Sequence, residues 1–249
     1  MTGLYTEHAE LYDIAFGWDV EEEVDWLLER LGSDCRTVLE PGCGTGRMLD
    51  ALARRGVAAV GIDRSERMVE IARSRLAGRA EVILADMTDF DLGQTFEGAV
   101  CPINTLLHLT PDGLSRHLER VAGHLQRGRR YLVQVGLVDP EQREPFAGSH
   151  WDAGRDGTTL RISWVDEELD PRRGVSSQRS RIEVTQGPRA GEVVEEVHEM
   201  TAWTPEKWAQ AIQASPFTRV AMFDAGRKGS RPAVGEDATG GLLWHELVR

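Results

Sequence analysis

Apolar runs alternate with helical periods along the first half of this chain, and near Asp139 the pattern changes to strand-like runs. In residues 19–31, DVEEEVDWLLERL, the side chains of Val20, Val24, Leu27, Leu28 and Leu31 share one helical stripe with acids opposite, and Gly32 follows as a stop. Short apolar runs then alternate with helical periods. They predict strands at 37–41, 57–62, 81–85 and from Phe96 onward, with helices at 46–55 and 65–76. Pro111-Asp112-Gly113 opens a further helix to Gln126, and YLVQVGLV at 131–138 reads as a strand buried on both faces. Repeated β-α-β units require crossovers, so the class is α/β, with a doubly wound, mainly parallel sheet.

Beyond Asp139 a loop rich in Pro, Gly and Asp (139–158) precedes three strand-like runs at 159–169, 178–186 and 192–203. Apolar and polar residues alternate in VVEEVHEMTAW, the pattern of an antiparallel strand with one wet face, and predict an inserted β flap over the active site. Thr204-Pro205 supplies an N-cap and first-turn proline for a helix to Ala214, and strands at 217–223 and 241–248 bring the main sheet to seven. The organisation expected is an N-terminal lid and helix (1–36), a ligand-binding core (37–138), the insertion (139–203) and a closing segment (204–249).

The first strand runs into VLEPGCGTGRM, residues 38–48. Glycines at 42, 44 and 46 allow a tight turn that a ligand can approach, with free N–H groups opening the next helix to a carboxylate or phosphate. A dinucleotide fingerprint would need its third glycine one place later, where Arg47 stands. Asp63 closes the second strand and suits two ribose hydroxyls, which does not separate one adenosine cofactor from another. Taken alone, it also reads as a turn or cap residue before Ser65.

The GxGxG turn preceded by Glu40, with Asp63, Asp86-Met87 and the segment NTLLHL at successive strand ends, resembles the class I S-adenosylmethionine (SAM) methyltransferases. The resemblance covers about residues 37–138 and implies a Rossmann-like fold with SAM as cofactor and S-adenosylhomocysteine as product. It implies cofactor contacts from Tyr12, Glu40, Gly42, Cys43, Gly44, Gly46, Asp63, Arg64, Met68, Asp86, Met87 and Asn104, with Glu40 favouring the ammonium and Asp86-Met87 the adenine. NTLLHL is similar to the corresponding loop of small-molecule methyltransferases of the glycine and amino-sugar N-methyltransferase type. That implies transfer to a small-molecule acceptor, nitrogen ahead of oxygen. His108 and Tyr12 are the candidate catalytic residues, His108 as a base or orienting group that also meets the acceptor, and Tyr12, with Tyr5 behind it, as the lid. His150, Trp151 and Trp203 are candidates for the acceptor pocket, although tryptophan also fills cores. Open alternatives are an O-methyltransferase with His108 as base, a SAM-binding sensor or partner protein, and an NAD enzyme.

The chain departs from the family pattern in three places. Pro41 stiffens the turn after Glu40, and Arg127-Gly128-Arg129 replaces the usual Pro-Gly-Gly before strand five. Cys101-Pro102-Ile103-Asn104 stands where DNA amino-methyltransferases carry a Pro-Pro-Tyr motif, which disfavours nucleic-acid bases. The arginines at 127, 129 and 130 are expected to cap a helix C-terminus.

Composition narrows the field further. A net charge of −12 repels polyanions, which excludes nucleic acid as the expected partner. Three cysteines without paired spacing argue against a disulfide framework, and no acidic cluster points to a metal. Neither a leader nor a membrane-length apolar run is evident, so a cytoplasmic location is expected; the sequence leaves oligomeric state open.

Overall fold

The computed structural model describes residues 3–225 and 231–249. Two sheets organise it. The central one follows the predicted β-α alternation: β1 (Thr37–Pro41), α3 (Arg47–Arg54), β2 (Ala58–Asp63), α4 (Glu66–Leu76), β3 (Glu81–Leu84), β4 (Phe96–Cys101), α5 (Pro111–His124) and β5 (Leu125–Gln134). After α6 (Pro205–Gln213), β10 (Thr218–Asp224) and β11 (Leu243–Val248) complete seven strands in the order β10-β11-β5-β4-β1-β2-β3. Pairings among β1 to β5 are parallel, and β11 joins antiparallel between β5 and β10. The order reverses at β1/β4, and the C-terminal ends of those strands open onto the cleft described below.

Local chemistry sets the helix starts. Ser65 caps α4 by accepting from Met68 N at 3.3 Å, and Thr110 caps α5 from Gly113 N at 3.2 Å. Helix α2 (Glu21–Leu31) buries Val24, Leu27 and Leu31 against the central sheet, as the stripe requires, and ends at Gly32. The predicted α5 overruns by two residues, because Leu125 already pairs with Phe96 of β4. Arg127, Arg129 and Arg130 consequently lie in β5 rather than at a helix terminus. Arg130 and Arg30 bracket the buried Glu246 carboxylate at 2.6 and 2.5 Å, and Arg129 pairs with Asp34 at 3.0 Å.

The second sheet has four antiparallel strands, β6 (Ser149–Arg155), β7 (Thr158–Asp170), β8 (Val175–Gln186) and β9 (Val193–Thr201). Its first strand lies inside the stretch expected to be a loop. Leu160, Ile162, Ile182, Val184 and Val194 form an apolar face that packs on Leu4, Leu11 and Ala15. Leu11 and Ala15 belong to a short helix, α1 (Ala9–Ala15), that sequence periodicity did not reveal. No described helix is long and apolar enough to cross a membrane.

Candidate active site

A cleft of about 1370 Å³ separates the central sheet from the flap. On the central side its wall begins at the glycine turn. Gly42 and Gly44 sit at φ +70° and +53°, which other residues rarely adopt, and a Cβ on Gly42 would fall 2.6 Å from Thr105 Cγ2. Beneath the turn, Glu40 is buried, and its Oε2 has no hydrogen-bond partner. Burial pushes its carboxyl up to about 8, against the pull of Arg47. Cys43 is buried under the turn against Gly61, not in the cleft lining, and Gly46 packs on Ala72 where α3 begins.

Asp63 lines the cleft and braces the turn. One carboxylate oxygen accepts from Gly44 N and the other from Ser65 N, both at 2.9 Å. Each oxygen keeps acceptor capacity for a ligand. Arg64, Met68, Asp86 and Met87 follow around the rim. Burial works against the charge on Asp86, but the N–H and O–H of Thr88, both at 2.7 Å, outweigh it and hold the carboxyl below the usual range.

Asn104 lines the cleft but spends its side chain on the scaffold. Its Oδ1 accepts from Gly136 N and its Nδ2 donates to Gly241 O, both at 2.8 Å, tying the loop after β4 to the ends of β5 and β11. Four residues on, His108 reaches the cleft, with Tyr5 Oη 3.4 Å from its Nε2. The surrounding protein, then His198 and Arg64, pushes the imidazole down to about 4, so it is neutral at physiological pH.

An N-terminal strap closes the front of the cleft. Tyr12 approaches the glycine turn, with its ring 4.0 Å from where a Gly44 Cβ would be, and stacks on Phe16 at 4.4 Å. Phe16 meets the edges of Trp151 and Trp164 on the flap, so aromatic rings run from the turn to the second sheet. Asp13 pins this strap from behind. Its buried carboxylate pairs with Arg75 of the core and Arg155 of the flap, both at 2.6 Å. The backbone of Tyr5 accepts from Ser65 Oγ, and Leu4 N donates to Glu196 Oε1 at 2.7 Å.

Of the three residues expected at the acceptor pocket, the cleft takes one. Trp151 lines it and donates from Nε1 to Ala15 O at 2.8 Å. His150, on the next position of β6, is exposed and borders a smaller depression of about 400 Å³ outside the cleft. Trp203 is a correction: it is buried in the core with its ring 5.8 Å from Trp208, because the chain there leaves β9 and pairs with Leu137 just beyond β5. Sequence reasoning missed Trp164, Asp166, Gln178 and Met200, which also line the cleft, and His198, stacked behind Trp164 at 4.7 Å. Alternation marked the sheet's two faces but carried no sign of which face meets the cleft.

Residues 38–128 match the methyltransferase domain family. Over 225 residues, 84% of this chain and 83% of the relative, the sequence is 32% identical to dTDP-3-amino-3,6-dideoxy-alpha-D-glucopyranose N,N-dimethyltransferase of Streptomyces fradiae. It is 30% identical to dTDP-4-amino-2,3,4,6-tetradeoxy-D-glucose N,N-dimethyltransferase of Saccharopolyspora spinosa, over 54% of each chain. Among solved structures, Streptomyces venezuelae DesVI superposes with a TM-score of 0.77 at 22% identity, covering 96% of this chain and 97% of that one, a likeness of fold.

Proposed function

This chain belongs to the SAM-dependent methyltransferases, and we propose that it methylates the nitrogen of a small-molecule amine, with an amino sugar as the first candidate. The cofactor's three parts fit the residues present. Glu40 Oε2, buried and unpaired below the glycine turn, suits the ammonium of the methionyl part. The N–H groups of the turn suit its carboxylate, Asp63 the ribose hydroxyls, and Asp86 with Met87 the adenine. Tyr12 closes over the turn from the strap. Arg64 and Met68 border the adenosine, whereas Cys43, Gly46 and Asn104 act by shaping the scaffold.

SAM supplies a methyl group on a positively charged sulfur, so the acceptor needs only a free lone pair and alignment. The likeness over most of the chain to an amino-sugar N,N-dimethyltransferase carries the choice of nitrogen, and the state of His108 agrees with it. An imidazole pushed down to about 4 is a weak base, poorly matched to removing a proton from an alcohol or phenol at neutral pH. It is a good acceptor for the N–H of a neutral amine, and with the Tyr5 hydroxyl it holds the nitrogen lone pair toward the methyl. As the C–N bond forms and the C–S bond breaks, positive charge passes to nitrogen, and its extra proton leaves to solvent once the product departs. The strap and aromatic rings keep bulk water from the reacting atoms. Glycines, carboxylates and rings share the work.

Methyl-labelled SAM incubated with amine, phenol and carboxylic-acid fractions, using Asp63→Ala as control, tests the reading. Label in the amine fraction alone, absent with the control, is the expected result. Label in the phenol fraction overturns the choice of nitrogen, and SAM binding without transfer to any fraction turns the case toward a sensor.

A further inference from the structure

The inner face of the flap changes character halfway along. Three rows cross β7, β8 and β9 in register: Ile162-Ile182-Val194, then Trp164-Ser180-Glu196, then Asp166-Gln178-His198. The first row, with Leu160 and Val184, is buried against the N-terminal strap. The next two are polar apart from Trp164, although they continue the same strands on the same side. A sheet needing only to cover the core would have kept its apolar alternation.

These polar residues are locked together. Trp164 Nε1 donates to Gln178 Oε1 at 2.7 Å, and Gln178 Nε2 donates to Asp166 Oδ1 at 2.7 Å. Behind them His198 stacks on Trp164 and shares a hydrogen bond with Ser180 at 2.9 Å. The chain of donors ends on a carboxylate, and Phe146 N, at 3.4 Å from its Oδ2, is a long second partner. Burial raises the Asp166 carboxyl, opposed only by those two hydrogen bonds, and no cation among the described residues neutralises it. Trp164, Asp166 and Gln178 all line the cleft. A half-buried carboxylate that is fixed by its neighbours, faces a cleft and lies beside an aromatic ring is a seat for a hydrogen-bond donor.

We propose that this polar half is the acceptor-recognition surface, where Asp166 accepts a hydrogen bond from an O–H or N–H on a ring packed against Trp164. The proposal rests on the amine reading above and narrows it to ring-bearing acceptors rich in donors. Two sources share that chemistry, a sugar hydroxyl and the imide N–H of a linked pyrimidine base.

Calorimetry on the protein loaded with S-adenosylhomocysteine compares glucosamine, dTDP-3-amino-3,6-dideoxyglucose and cyclohexylamine. At least one hydroxylated ring should bind tenfold or more tightly than cyclohexylamine. Asp166→Ala should abolish that preference, and Asp166→Asn, which keeps an acceptor oxygen, should fall between. SAM affinity and thermal midpoint should stay near wild type in both variants. Glu167→Ala, on the outer face beside Arg179, serves as the control and should bind like wild type. Binding of free glucosamine assigns the donor to the sugar, whereas binding of the nucleotide form alone, with competition by dTDP, assigns it to the base. Equal binding of cyclohexylamine, unchanged affinity in Asp166→Ala, or no binding by any hydroxylated ring overturns the proposal. Asp166-dependent binding without methyl transfer from SAM counts against the amine reading and leaves the recognition surface standing.

Discussion

The two walls of the cleft are built by different rules. On the central side, the strand ends of β1, β2 and β3 deliver Glu40, Asp63 and Asp86 within one contiguous stretch, each beside a turn that the sequence marks. On the flap side, neighbours in space come from three strands, and the aromatic wall draws Tyr12 and Phe16 from far upstream. The central wall is encoded by local turns, the flap wall by register, which a linear reading does not show.

If the walls act separately, perturbing one should spare the other. The largest effect is expected from Asp63→Ala, which removes the proposed ribose acceptor and the brace on Gly44 N: SAM binding should weaken about 100-fold, near 2.7 kcal/mol, with a folded circular-dichroism spectrum. Unchanged affinity would place the adenosine elsewhere. Next, His108→Ala should lower kcat about 30-fold while SAM affinity stays within twofold, about 2 kcal/mol of transition-state alignment. A matching loss of SAM binding would join the two walls.

The strap touches both. Asp13→Ala releases Arg75 and Arg155 together and should weaken SAM and acceptor alike, about tenfold each, while raising proteolysis near residues 3–16. Protection from protease unchanged by the substitution would mean the strap is held by its aromatic rings alone.

The smallest effect is on stability, and its sign is distinctive. Glu40 has a folded pKa raised from the usual carboxylate range to about 8, so the folded state holds the proton more tightly than the unfolded. Its contribution is fully present below about pH 4.5 and is lost as pH rises toward 8. Glu40→Gln should therefore raise the thermal midpoint of the ligand-free protein at pH 8, by about 1–2 kcal/mol in stability, and yet weaken SAM. A lower midpoint would show that the carboxylate is satisfied without the cofactor.

Much of the central fold was legible because its signals are local. The alternation of apolar runs and helical periods gave β1 to β5, the cap at Thr204 gave the start of α6, and the glycine turn marked where the cleft's central wall begins. What was not legible depends on distant partners. Asn104 lines the cleft after β4, but Gly136 and Gly241, brought up by distant strands, claim both ends of its amide. Trp203 ends an alternating run, and its pairing beside Leu137 buries it against Trp208. Strand β6 carries too little apolar alternation to announce itself and exists through its pairing with β7. Asp166 and Gln178 were missed for the same reason, since only register sets them opposite each other.

The central claim is methyl transfer to nitrogen, and it meets its most direct test in the product. With carbon-13 methyl-labelled SAM and dTDP-3-amino-3,6-dideoxyglucose, NMR of the purified product identifies the atom that carries the new methyl. The account predicts a methyl correlated to the amine-bearing carbon through nitrogen. A methyl on a hydroxyl oxygen, or an unlabelled sugar beside protein that binds SAM, would contradict it.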